Sequence, residues 1–144
     1  MDNPHCMAIF SRMRHDSDIL IVGGGLTGTT LACALADTGQ TVTLIDALPR
    51  ATVDQPDFDG RSYAMALTST RLLEGIGLWD TLNEHAQPML DIVVTDGRAG
   101  EGPAPFFMHF DHREIEEGPM GYMVEDRHLR PSLLGALERR AGIT

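Results

Sequence analysis

Three glycines, Gly23, Gly25 and Gly28, follow the apolar run 19–22 at the spacing G-x-G-x-x-G. This spacing is typical of the turn that joins the first strand to the first helix of a dinucleotide-binding unit. The first glycine allows a tight turn, the second lets the backbone approach a diphosphate, and the third lets the helix pack closely on the strand. Amide groups at the positive end of the helix dipole would then bind the phosphates.

An acidic residue follows at the place expected for a ribose ligand. The segment 38–40 predicts the end of the helix and a turn, and Thr41–Ile45 predicts a second buried strand that ends at Asp46. Asp46 lies 18 residues after Gly28, close to the roughly 20 expected for the carboxylate that hydrogen-bonds a ribose hydroxyl. The order of strand, turn, helix, strand and acid favours a nucleotide site over a glycine-rich turn that binds nothing.

Composition limits the classes of function. The chain has 144 residues, the size of one domain, with 11 basic and 21 acidic residues and a formal net charge of −10. This balance argues against nucleic acid as a partner, because phosphate binding needs clustered Lys and Arg. Two cysteines, Cys6 and Cys33, predict no disulfide and a reducing compartment. Residues 1–16 resemble neither a signal peptide nor a membrane span, and are predicted to be a disordered tail.

The rest of the chain alternates short elements after a predicted loop at 47–60. Thr68–Thr70 predicts the N-cap of a short helix, and Asp96–Gly97 predicts a turn after a strand at 91–95. Two more strands, at 106–111 and 122–124, and an amphipathic helix at 127–141 complete the prediction. Ile143 and Thr144 read as the start of a strand without a partner, so the chain is expected to be a truncated piece of a longer protein.

The sequence predicts no metal site. His109 and His112 would point to opposite faces of a strand, and no further ligand cluster accompanies them. Asp57-x-Asp59-Gly60 resembles part of a calcium loop, but Gln55 and Ala66 occupy the positions that should carry acids.

Four stretches together carry a resemblance to a known family. Phe58–Leu67 and Gly75–Trp79, followed by Val93–Arg98 and Gly121–Arg130, resemble the ubiquinone-biosynthesis hydroxylases, which are FAD-dependent aromatic monooxygenases. Among them the similarity is greatest to the 2-polyprenyl-6-methoxyphenol hydroxylases. It extends from about Asp18 to the last residue.

This resemblance implies an α/β fold, a Rossmann-like FAD-binding domain of the glutathione-reductase and p-hydroxybenzoate-hydroxylase type, here truncated. Residues 17–144 would form its N-terminal part, and about 88–124 would begin an inserted β-rich segment. The implied activity is hydroxylation of a polyprenyl phenol, with FAD as cofactor, NAD(P)H as electron donor and O₂ as the source of oxygen. The implied location is cytoplasmic, with peripheral contact to the inner membrane or to a ubiquinone-biosynthesis complex.

The resemblance also implies cofactor contacts. Arg61 in the motif Asp-Gly-Arg would meet FAD near its phosphates and ribityl chain, and Arg127 is a second candidate. The chain departs from many relatives at Asp126, where they carry the FAD-contacting arginine. Two motifs that complete the flavin pocket would lie beyond residue 144, so this chain alone is expected to bind FAD poorly and to catalyse nothing.

Two other functions remain open from the sequence. An NAD(P)-dependent dehydrogenase would satisfy the glycine motif equally well, although it should continue with regular β-α-β alternation after Asp46. The third possibility is a truncated remnant of such a protein that has no catalytic activity.

Overall fold

The computed structural model describes residues 15–53 and 57–144, without the side chains of Ala51 and Val53, so nearly all of the predicted tail lies outside the described residues. The strands are β1 Ile19–Val22, β2 Val42–Ile45, β3 Ser62–Ala66, β4 Ala86–Met89, β5 Asp91–Arg98, β6 Gly102–Asp111 and β7 Gly121–Glu125. The helices are α1 Leu26–Ala36, α2 Arg50–Val53, α3 Leu67–Gly75, α4 Trp79–Asn83 and α5 Asp126–Glu138, with a 3₁₀ turn at His112–Glu114.

The first unit is a parallel pair of strands joined by a helix, as the glycine motif predicts. β1 and β2 run parallel, with Ile19 opposite Val42, and α1 connects them. Ile21, Ala32 and Val42 are buried where the helix meets the strands. Apolar side chains on both elements therefore form a small core, which fixes the end of β1 against the start of α1.

The last residues of the chain lie beside this unit. Ile143 forms a parallel bridge with Val42, and the Leu44 amide donates to the Thr144 carbonyl at 2.8 Å. Ile143 forms an isolated bridge and no strand, and the inference that these residues have no partner was wrong. Their partner is β2, about a hundred residues earlier, a pairing that local sequence pattern does not reveal.

A second, antiparallel sheet has the order β3-β7-β4 and is covered by helices. Its core contains Leu78, Leu82, Val124, Leu129 and Leu133, all at most 4 % exposed. The leucines of α5 lie on the buried side of that helix, so burial of apolar surface holds α5 against β7 and α4.

The strands β5 and β6 form a two-stranded ribbon of which both faces are exposed. Register and alternation place Ile92, Val94, Phe106, Met108 and Phe110 on one face, and Phe106 is 86 % exposed. β4 to β7 occupy the region of the expected β-rich insertion, but β4 and β7 pair within the sheet of β3.

Three local predictions were wrong. Asp96–Gly97 does not end the strand, because β5 passes through it with a bulge between Thr95 and Gly97 and reaches Arg98. Thr68–Thr70 is not an N-cap, because α3 already begins at Leu67. The predicted loop 47–60 contains α2. In each case a strand or a helix includes residues whose types alone favour a turn, a cap or a loop.

Candidate functional site

The glycine segment forms a tight turn between β1 and α1. Gly23 has φ +109°, a conformation that side chains rarely adopt, and its amide donates to the Ile45 carbonyl at 2.7 Å. Gly25 is the N-cap of α1, and the Thr29 hydroxyl donates to the Gly24 carbonyl at 3.1 Å. The turn is thus fixed against β2 on one side and against the first turn of α1 on the other.

The other two motif glycines differ in what surrounds them. A methyl group on Gly28 would lie 1.9 Å from the Gly23 carbonyl oxygen and 3.4 Å from Ile21 Cγ2, so the helix approaches the strand too closely for any side chain. A methyl group on Gly25 would meet no atom of the described residues within 4 Å. The first turn of α1 contains no acidic residue that would offset the helix dipole. The space in front of Gly25 therefore suits an anion.

Asp46 lies directly after β2, where its carboxylate reaches the glycine turn. Its Oδ2 accepts from the Gly24 amide at 2.5 Å and its Oδ1 accepts from the Leu48 amide at 2.7 Å. These two amides, with Leu48 contributing more, hold the pKa of Asp46 below its usual range, and the positive charge of Arg130 lowers it further. Asp46 is therefore an ionised acceptor beside the turn.

Arg61 precedes β3 and is held by two carboxylates. Its Nη2 lies 2.5 Å from Asp59 Oδ2 and 3.1 Å from Asp126 Oδ2. The hydrogen bond to Asp59 is the main cause that raises the pKa of Arg61, and Asp126 adds to it. The Arg61 side chain is 51 % exposed, so its guanidinium is oriented and still accessible from solvent.

Arg127 has different partners. Its Nε donates to Glu125 at 2.6 Å, and its guanidinium lies 5.5 Å from the centre of the Phe58 ring. The structure therefore brings Gly23, Gly25, Gly28 and Asp46 together, places Arg61 in a separate pair of ion contacts, and gives Arg127 different partners.

The residue that holds Arg61 from the buried side was not predicted from the sequence. Asp126 is only 4 % exposed and accepts from Tyr63 Oη at 3.0 Å and from Nε and Nη2 of Arg130, each at 3.0 Å. It also lies against Arg61. An aspartate four residues before an arginine on a predicted helix was a readable signal for one of these contacts.

An apolar groove of about 530 Å³ opens beside the start of α1. Leu26 and Thr27 of α1 line it together with Tyr63, Leu129 and Leu133. Tyr63, which binds Asp126, therefore lines the same groove as residues of α1 from Leu26 to Ala34.

The described residues contain no group of three or more His, Cys, Asp or Glu side chains placed to bind a metal ion. His109 instead contacts Asp91 at 2.8 Å, and His112 contacts the Leu90 carbonyl at 3.0 Å. Within the same described segments, each helix is too short or too polar to cross a bilayer.

Comparisons with known proteins show to which family the chain belongs. A family model described as "FAD binding domain" matches residues 16–142. Ubiquinone hydroxylase UbiL of Rhodospirillum rubrum is 48 % identical over 128 residues, which are 89 % of this chain and 28 % of that protein. The 3-demethoxyubiquinol 3-hydroxylase of Escherichia coli is 33 % identical over 130 residues, 89 % of this chain and 32 % of that protein. The chain thus spans about three tenths of these relatives' length.

Solved structures give the same fold. Aklavinone-11 hydroxylase, in a ternary complex with FAD and aklavinone, has a TM-score of 0.64 and 24 % identity, over 91 % of this chain and 25 % of that one. The p-nitrophenol 4-monooxygenase PnpA of Pseudomonas putida has a TM-score of 0.61 and 17 % identity, over 87 % of this chain and 30 % of that one. The family model matches almost the whole length of this chain. The chain therefore belongs to the FAD-binding domain family, and its cofactor is FAD.

Proposed function

We propose that this chain is the FAD-binding part of a monooxygenase that hydroxylates a polyprenyl phenol in ubiquinone biosynthesis, with NAD(P)H as electron donor. The observation that carries the proposal is the turn at Gly25, which lies open before a helix N-terminus without acidic residues while Asp46 stands beside it. The names of the relatives support the choice of substrate. Because the chain spans only part of those relatives, the activity belongs to the whole protein.

The residues of the chain fit the ADP half of FAD. The amides of the glycine turn and of the first turn of α1 would bind the diphosphate, which approaches over Gly25. Asp46 has two carboxylate oxygens with acceptor capacity beyond its present bonds, and it would bind the ribose hydroxyls. Arg61 would meet the phosphates or the ribityl chain, and Arg127 is the less supported contact because Glu125 and Phe58 already engage it.

The flavin supplies the redox chemistry when it is bound, by accepting a hydride and activating O₂. The residues described here would position it and hold its negative charge, and no residue of the chain is assigned to the aromatic ring of the substrate. A dehydrogenase is disfavoured by the antiparallel sheet that follows β2 where regular β-α-β alternation would be expected.

A chimera tests the activity. Residues 16–142 of this chain replace the matching segment of the Rhodospirillum rubrum ubiquinone hydroxylase, and the chimera is expressed in a strain that lacks that enzyme. We expect a yellow protein with flavin absorbance and restored ubiquinone. The control chimera carries Gly28→Ala, which should restore neither. A well-folded but colourless chimera would refute the proposal.

Binding by the chain alone tests the cofactor site. We expect weak FAD binding, because the chain would contact mainly the ADP half, and no NAD(P)H oxidation. Gly25→Ala should lower ADP affinity about tenfold, the equivalent of ~1.4 kcal/mol, because its methyl group occupies the space of a phosphate. Its urea midpoint should fall only slightly, because alanine is a poorer N-cap than glycine. Tight FAD binding with a defined flavin spectrum would contradict the expected weak affinity.

We also propose peripheral membrane contact by the whole enzyme, alone or within a biosynthetic complex. The support is the apolar substrate and the exposed apolar face of the β5–β6 ribbon, where Phe106 is 86 % exposed. Fractionation of cells that express the chimera should place it with membranes, and Phe106→Ser should shift it towards the supernatant. A chimera found wholly in the supernatant would remove this part of the proposal.

A further inference from the structure

One buried carboxylate organises two arginines and a tyrosine. The Asp126 side chain is 6 % exposed and contacts Arg61 at 3.1 Å, while Arg130 binds it through Nε and Nη2. Tyr63 Oη donates to its Oδ1 at 3.0 Å. We call these four residues the Asp126 cluster. The bonds to Asp126 use Nε and Nη2 of Arg130, so Nη1 takes no part in them.

The cluster lies at the glycine-turn end of α1. Arg140, just after α5, binds Asp37, just after α1, through Nε at 2.7 Å and Nη2 at 2.8 Å. The two helices therefore end side by side, and they are packed together with similar lengths. The charge of Arg130, one turn into α5, acts on Asp46 beside the glycine turn, so the first turn of α5 lies near the start of α1. Tyr63 lines one groove with residues of α1 from Leu26 to Ala34.

The charges of the cluster do not cancel. Two guanidiniums share one buried carboxylate, which leaves one positive charge in excess. Asp59 pairs with the outer side of Arg61, but its side chain is 39 % exposed, so solvent and salt screen that pair. A phosphate can replace an exposed carboxylate on Arg61 while Asp126 continues to hold the guanidinium from the buried side.

We propose that Asp126 is a positioning residue of the cofactor site, which holds Arg61 and Arg130 so that both guanidiniums face the diphosphate of FAD. This inference rests on the proposed function. Arg130 supplies the second positive charge, one helical turn after Asp126. The aspartate does not repel the cofactor, because the two arginines outweigh its charge. Charge-assisted bonds from guanidinium to phosphate are among the strongest hydrogen bonds available in proteins.

The experiment measures ADP and FAD affinity by calorimetry in the 144-residue chain and in four variants. Arg130→Gln should weaken ADP binding about tenfold, because it removes a charged donor. Asp126→Asn separates positioning from charge. It makes the cluster more positive, so charge alone predicts tighter ADP binding, whereas loss of positioning predicts affinity lowered about fivefold. Asp126→Glu should restore part of the affinity.

The matched control is Arg140→Gln, which breaks an arginine–aspartate pair at the other end of the same helices and should leave ADP affinity unchanged. Urea unfolding of each variant identifies any that has lost its fold, and Arg130→Gln keeps Asp126 paired with Arg61 if Asp126→Asn does not fold. Unchanged ADP affinity in Arg130→Gln, or tighter binding in Asp126→Asn, overturns the inference while the proposed function stands. A folded wild-type chain that does not bind ADP also overturns the inference, whereas the proposed function is overturned by a well-folded but colourless chimera.

Discussion

Each end of the packed helices α1 and α5 has an arginine–aspartate contact, and the two contacts have different roles. At the end where both helices stop, Arg140 binds Asp37 through Nε and Nη2. It also donates to the carbonyls of Ile76 at 2.7 Å and Ala136 at 3.2 Å. At the end where they begin, Asp126 binds two arginines and a tyrosine. At the first end one arginine pairs with one aspartate, whereas at the second two arginines share the buried Asp126 and the more exposed Asp59 pairs with the outer side of Arg61.

The difference separates a structural contact from one prepared for a ligand. Arg140 contacts acceptors from three parts of the chain, so its role is to join α5 to α1 and to the end of α3. Asp37 has a 43 % exposed side chain, and without it Arg140, which is 16 % exposed, still donates to the Ile76 and Ala136 carbonyls. Asp126 is 6 % exposed and cannot be hydrated if a partner is lost. The two arginine–aspartate contacts therefore differ in the stability that is lost when a partner is removed and in the positive charge that is available to a ligand.

The largest effect is expected for Gly28→Ala, which tests how tightly α1 packs on β1 at the glycine turn. Its methyl group would lie 1.9 Å from a backbone carbonyl, so α1 must shift away from β1. We expect a loss of about 3 kcal/mol or more in the free energy of unfolding, measured by urea titration.

Gly135→Ala in α5 is the control for this substitution. Among the described residues its methyl group would meet only the flexible end of Arg139, and alanine favours the helix, so stability should rise by about 0.5–1 kcal/mol. Equal stability of Gly28→Ala and wild type would show that α1 is not pressed against β1 as the structure describes.

Asp126→Asn and Asp37→Asn compare the two ion pairs directly. The first should cost about 3 kcal/mol of unfolding free energy, because it leaves the buried side of Arg130 without a counter-charge. The second should cost about 1 kcal/mol or less, since that pair is partly in solvent. Chemical unfolding of both variants in one buffer measures the difference. Equal losses would contradict the contrast between the two ends.

The sequence predicted the glycine-turn end in part. Gly28 and Asp46 belong to one local unit, where spacing along the chain fixes position in space, so their placement could be read directly. The Asp126 cluster depends on Tyr63 and Arg61, more than sixty residues earlier, which meet Asp126 because β3 pairs with β7. Local pattern does not encode that pairing, and residue 126 therefore appeared only as a departure from relatives. The pairing of Ile143 with Val42 was missed for the same reason.

The smallest expected effect is a difference in pH dependence between the two ends. His128, two residues after Asp126, stacks on His85 with ring centres 3.9 Å apart. Burial lowers the pKa of His128 from its ordinary 6.5, the charges of His85 and Arg127 lower it further, and Glu125 opposes them. The unfolded chain thus binds the proton more readily, so stability is complete above pH 6.5 and decreases as pH falls below it.

At the other end the hydrogen bond from Arg140 lowers the pKa of Asp37 from its ordinary 3.8, so its contribution is present above that pH and is lost only in stronger acid. Unfolding free energies measured from pH 8 to pH 3 should therefore decrease in two separate ranges. His128→Gln should remove part of the decrease below pH 6.5 and leave the acid range unchanged, whereas Arg140→Gln should do the reverse. A His128→Gln chain with the wild-type slope between pH 7 and pH 5 would show that protonation elsewhere causes it.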